Sequence, residues 1–125
     1  MTTAVISDIH GNAEALRSVL ADLEARGVER ILCLGDIIGY GPEPLACVDL
    51  VAQRCEWSLM GNHDFGVLYE PTSFNAMAEQ AAFWTRAQFD AEPDEAERAR
   101  RWQFLGQFRV RTIDRERFLA VHGSP

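Results

Sequence analysis

The sequence predicts an α/β fold that opens as β-α-β-α-β, with parallel strands joined by right-handed crossovers. Three observations predict it. Short apolar runs recur at Ala4-Val5-Ile6, Ile31-Leu32-Cys33-Leu34 and Trp57-Ser58-Leu59-Met60, as in strands buried on both faces of a parallel sheet. Apolar residues between these runs fall at helical spacing. Each run leads into a loop rich in glycine and in carboxylate, amide or imidazole side chains.

The first helix is expected over 12–26, with Leu16, Val19, Leu20 and Leu23 on one face, Asn12 capping its start and Gly27 just past its end. A second follows Pro42 and Pro44, with Leu45, Val48, Ala52 and Cys55 at helical spacing. From Glu70 the pattern changes. Residues 74–89, which include Phe83 and Trp84, predict a third helix, and 90–95 a loop. A charged stretch after Pro93 carries Trp102, Phe104, Leu105 and Phe108 and predicts a fourth. The chain then alternates over 109–113, turns near Asp114-Arg115 and returns over 118–121, an antiparallel hairpin.

Composition limits the partners. The 125 residues are one domain's worth, 47% hydrophobic and 25% charged, as in globular proteins. No apolar run approaches the ~20 residues of a membrane span, and the first residues lack the basic and apolar segments of a secretory signal, so a cytoplasmic location is expected. Cys33, Cys47 and Cys55 have the spacing of neither a disulfide framework nor a metal clip and are expected to be reduced. Nineteen acidic residues outweigh 12 basic ones, all arginine, for a net charge of −7. That balance argues against duplex nucleic acid or an anionic membrane as a partner. A phosphate can still be held if metal ions supply the positive charge.

The chemistry-bearing residues stand at predicted strand ends: Asp8-Ile9-His10-Gly11-Asn12, Gly35-Asp36-Ile37-Ile38-Gly39-Tyr40-Gly41 and Gly61-Asn62-His63-Asp64. In open parallel sheets ligands gather there. His122-Gly123 closes the hairpin at another strand end. Singly, each motif has an ordinary explanation: a helix cap, a turn, or the start of a short helix at Asn62-His63-Asp64. Together they supply carboxylates, a carboxamide and imidazoles, a mixed oxygen and nitrogen set suited to Mn, Fe, Zn, Co or Ni. One carboxylate can bridge two such ions, which activate a shared water and clamp both sides of a phosphoryl group.

In this order the motifs resemble the calcineurin-like metallophosphoesterase superfamily: Asp-x-His, Gly-Asp-x-x-(x)-Gly, Gly-Asn-His-Asp/Glu, and a later histidine before glycine. The stretches Ser7 to Asn12, Gly35 to Pro42 and Val121 to Pro125 are similar to those of its small bacterial and archaeal phosphoesterases. The resemblance implies a four-layer αββα sandwich and hydrolysis of phosphomonoesters or phosphodiesters by a metal-bridging hydroxide. It implies that Asp8 and His10 bind one divalent ion, that Asp36 bridges two, and that Asn62 and His122 bind the second. His63 would face the phosphate as an imidazolium and act as general acid, with Asp64 orienting its ring.

The family's Gly-His-x-His block does not occur within residues 1–125, so the chain is expected to be the N-terminal part of such a domain, with its second sheet truncated. The arginine of the phosphoprotein phosphatases is missing from Ile37 to Gly41, which argues against their mode of binding. The leading expectation is therefore hydrolysis of a small phosphate ester. The alternative is a weak or inactive domain that binds metal or a partner, with a second copy covering the exposed sheet. A nuclease or cyclic-nucleotide phosphodiesterase is another enzyme reading, and the net charge of −7 weighs against the nuclease. Arg98, Arg100 and Arg101 belong either to a lid over the phosphate or, more commonly for such a pattern, to a packed helix. Tyr40 either lines the site or packs in its loop.

Overall fold

Residues 2–123 are described in this computed structural model. Strands β1 (Thr3–Ile6), β2 (Arg30–Cys33) and β3 (Trp57–Ser58) form a parallel sheet in that order, with helices α1 (Ala13–Ala25) and α2 (Pro44–Arg54) between them. Helices α3 (Asn62–Leu68), α4 (Ala76–Asp90) and α5 (Glu95–Gly106) follow, and β4 (Arg111–Asp114) and β5 (Phe118–Val121) make a separate antiparallel pair. Leu59 extends the parallel sheet through a bridge to Arg109.

Local chemistry sets the helix starts. The side-chain oxygens of Asn12, Asn75 and Asp94 accept backbone N–H bonds in the first turns of α1, α4 and α5, and Pro44 opens α2, a position where its missing N–H costs nothing. Burial then fixes the layers. Leu16 and Leu20 of α1, Cys47, Val48 and Val51 of α2, Phe89 of α4 and Leu105 of α5 share a core with Ile31 and Cys33 of β2. The central strand β2 is buried along its whole length.

The edge strand β1 differs from expectation. Val5 is 53% exposed, because β1 pairs on one side only and none of the described elements covers that face. Val19 and Ala52, expected on buried helix faces, are exposed, and Cys55 caps α2 from outside it. Helix α3 starts at Asn62, as one ordinary explanation of the Asn62-His63-Asp64 motif had it, and the N–H of His63 in its first turn is held from outside, as shown below. The three cysteines are free. No helix among the described residues is long and apolar enough to cross a membrane.

The β4-β5 hairpin is fastened to both ends of β2. At the amino end, buried Arg30 donates from Nη1 and Nη2 to the two carboxylate oxygens of Asp114, at 3.1 and 2.7 Å, and also pairs with Glu56. Trp57 Nε1 donates to the same Asp114 at 3.0 Å. At the carboxyl end, His122 Nδ1 lies 2.8 Å from the carbonyl oxygen of Leu34. This second fastening carries a predicted site residue to the motif loops.

Candidate metal and phosphate site

The first two motif loops are zipped together through their backbones. Asp8 N–H donates to Gly35 O, His10 N–H to Asp36 O, Gly11 N–H to Ile37 O, and Gly41 N–H to His10 O, at 2.8–3.0 Å. Glycine is required at the closest approaches. A Cβ on Gly41 would lie 2.0 Å from His10 O, and one on Gly61 would lie 2.1 Å from Asp36 Oδ1. The loops are also strained: Asp8, His10, Asp36 and Tyr40 have φ of 58°, 49°, 57° and 62°, left-handed values that cost roughly 1–2 kcal/mol per non-glycine residue. Such strain gathers where geometry serves function.

Asp64 locks the third loop to the second. Its carboxylate is buried and accepts four backbone N–H bonds: Oδ2 from Asp36 at 2.7 Å and Gly61 at 2.9 Å, Oδ1 from Ile37 at 2.9 Å and Ile38 at 3.2 Å. Here the structure departs from the expectation that Asp64 orients the His63 ring. Its oxygens face backbone amides at the start of α3 and in the second loop, so it positions Asp36 and the segment bearing His63. Burial pushes its carboxyl up to about 6, against the pull of those amides.

Asp36 is the hub. It is buried, its Oδ1 accepts the His63 backbone N–H at 2.9 Å, and its Oδ2 lies 3.2 Å from His122 Nε2 and 3.6 Å from His10 Nε2. His10 Nε2 is also 3.5 Å from Asp8 Oδ1. Asp8, the outermost carboxylate, accepts the Ser7 hydroxyl at 2.5 Å, and that bond holds its carboxyl below the usual range. Ligand atoms of Asp8, Asp36 and His122 lie within 4.8 Å of one another, as do those of His10, Asp36 and His63.

The donor chemistry fits a divalent cation. The Leu34 carbonyl can only accept, so His122 Nδ1 carries the proton there and, in the neutral ring, the Nε2 lone pair faces the Asp36 carboxylate. A lone pair against a carboxylate is repulsive unless a proton or a cation stands between them. His10 Nδ1 is in addition buried without a hydrogen-bond partner. Asn62, exposed at the start of α3, and His122 line one cleft of about 610 Å³ with Phe74 and Arg111.

His63 stands in an aromatic frame. Its ring centroid is 4.9 Å from that of His10 and 4.8 Å from those of Tyr40 and Phe74. Burial pushes its pKa down, opposed by the negative charge of Asp36. Tyr40 does line the site, as one of its two sequence readings had it. Phe74 was missed, for nothing in its turn-rich surroundings marks it.

The arginines of α5 lie elsewhere. Arg100 and Arg101 bond Asp49 of α2 at 3.0–3.1 Å, and Arg98 donates to the Glu92 carbonyl. This is the packed-helix reading, with the charges pairing across α2 and α5. Ser124 and Pro125, the end of the predicted motif at Val121 to Pro125, lie outside the described residues.

A parallel α/β sheet with acidic and imidazole groups converging at its strand ends defines a metallophosphoesterase-like domain. A sequence profile of the calcineurin-like phosphoesterases matches residues 1–125, and the chain belongs to that family. It is 49% identical over 85 residues to an uncharacterized protein of Methanocaldococcus jannaschii, a match covering 66% of this chain and 35% of that protein. It is also similar to the crystal structure of a metallophosphoesterase from Sphaerobacter thermophilus, with 38% identity and a TM-score of 0.71, over 91% of this chain and 44% of that one. A structure provisionally named a diadenosine tetraphosphatase shares the fold at 21% identity and a TM-score of 0.60, over 87% and 43% of the two chains. The chain thus spans less than half the length of these relatives.

Proposed function

We propose that this domain hydrolyses a phosphate ester, with two divalent cations held by Asp8, His10, Asp36, Asn62 and His122. The observation that carries the proposal is the convergence of His10 Nε2 and His122 Nε2 on one oxygen of buried Asp36, with the His122 proton committed to Leu34. Bound cations would supply Lewis acidity and an activated water. Asp36 would hold both ions, and Asp8, kept ionised by Ser7, would complete the outer one. His63, framed by Tyr40 and Phe74, would face the phosphoryl group. An arriving phosphate dianion favours the protonated ring, so His63 could take up a proton with the substrate and pass it to the leaving oxygen. Asp64 acts as a positioning residue through the backbone of both loops.

Manganese-dependent hydrolysis of a phosphomonoester and a phosphodiester reporter, compared with His63→Ala, tests this reading. Turnover that needs the metal and falls at least ~100-fold in His63→Ala is expected; turnover indifferent to His63 would overturn it. The exposed apolar side chains Ile113 and Leu119, paired across the β4-β5 hairpin, favour a second reading, a metal-binding domain that associates with a second copy through that hairpin. Bound metal with no turnover, together with a dimer in sedimentation, would select it.

A further inference from the structure

We propose that the groove between Tyr40 and the outer face of α4 is a subsite for a planar aromatic group, so that the ester hydrolysed at the neighbouring site carries a nucleobase or aryl ring. This rests on the phosphoesterase reading and names the substrate class it serves. The groove, about 470 Å³, is lined by Tyr40, Asn75, Met77, Gln80, Ala81 and Trp84, within the roughly 300–1,000 Å³ of small-molecule pockets.

Two independent features mark it. Tyr40 sits at φ 62° between two glycines, yet its ring is 53% exposed, so burial does not offset the backbone strain. Glycine would fit that backbone more easily, and the ring's contacts are with the rings of His63 and His10, at 4.8 and 5.4 Å. The phenol is thus a wall shared by the phosphoryl site and the groove. The second feature is α4, which is apolar on two faces. Ala78, Ala82 and Phe89 enter the core, while Met77, Ala81 and Trp84 recur at helical spacing on the groove side, with Met77 79% and Trp84 44% exposed. Two aromatic rings flanking an open slot suit a flat π-system. Asn75, whose Oδ1 is used by the Ala78 N–H, keeps its amide hydrogens, and with Gln80 it offers hydrogen bonds to ring heteroatoms.

The test is calorimetric binding to the manganese-loaded chain of three non-hydrolysable probes, methylphosphonate, phenylphosphonate and the phosphonate analogue of adenosine 5′-monophosphate in which CH2 replaces the ester oxygen, with adenosine as the phosphate-free control. Stacking of one ring predicts that the aromatic probes bind about tenfold tighter than methylphosphonate. Trp84→Ala and Tyr40→Leu should each remove most of that advantage, and Trp84→Ala should leave methylphosphonate affinity within about twofold, because Trp84 is not among the residues gathered at the proposed cation site. Circular dichroism verifies that both variants are folded. Aromatic probes that bind no better than methylphosphonate, or that keep their advantage in Trp84→Ala, overturn the subsite. If adenosine binds in a Trp84-dependent way but no phosphonate adds affinity, the subsite stands and the phosphoesterase reading fails; if nothing binds, both fail.

Discussion

The two ends of strand β2 are built on opposite principles. At the amino end, Arg30, Glu56, Asp114 and Trp57 satisfy one another, each charge facing an opposite charge or an N–H donor. At the carboxyl end, Asp8, Asp36, His10 and His122 converge with no arginine among them, four non-glycine residues take left-handed backbone, and His10 Nδ1 has no partner. The same hairpin fastens both ends, through Asp114 at one and His122 at the other. One end is complete in itself. The other leaves imidazole nitrogens against a carboxylate and one buried ring nitrogen without a partner, the asymmetry on which the proposed cation site rests.

The largest effect that would break this contrast comes from the glycine contacts. Gly61→Ala places a Cβ against the Asp36 side chain and backbone, and should cost about 2–4 kcal/mol in urea unfolding as well as metal binding. Next is the exchange of one carboxylate at each end. Asp36→Asn keeps an oxygen for the His63 N–H but removes the converging charge, so divalent-ion affinity should fall at least ~100-fold with little change in metal-free stability. Asp114→Asn should do the reverse, lowering the unfolding midpoint while leaving ion affinity unchanged. Calorimetric titration with Mn²⁺ and thermal unfolding of both variants check the pair.

pH sharpens the same comparison. Arg30 and Trp57 hold the Asp114 carboxyl down to about 2, against about 3.9 in an unfolded chain. Its contribution to stability is therefore full above about pH 4 and is lost as pH falls through about 2. Asp114→Asn should show a shallower acid unfolding profile in that window. The smallest effect is expected for Ser7→Ala, which removes only the hydroxyl that orients Asp8; ion affinity should drop by roughly tenfold with stability unchanged.

Much of this was legible in the sequence. Asn12 is a side-chain cap that announces its helix, the buried run at Ile31 announces the central strand, and the loop residues at 8–12, 35–41 and 61–64 sit at strand ends as their spacing predicts. What was not legible depends on distance in the chain. The exposure of Val5 reflects the absence of a neighbour on one side of β1, which no local pattern records. Asp64 reads beside His63 as its orienting group, but the fold turns it onto amides of residues 36–38 and 61. Phe74 reaches His63 only because α3 and the turn before α4 bring it back. The Arg30–Asp114 clamp joins residues 84 positions apart, and no local periodicity reveals it.

The central claim, that the carboxyl end of the sheet is a cation site awaiting a phosphate ester, is tested most directly by titrating Mn²⁺ into the chain and into Asp36→Asn, with bound ion followed by electron paramagnetic resonance. Saturable binding by the wild-type chain, spin coupling between neighbouring ions, and loss of both in Asp36→Asn are expected. Binding that survives Asp36→Asn, or no saturable binding at all, would contradict it.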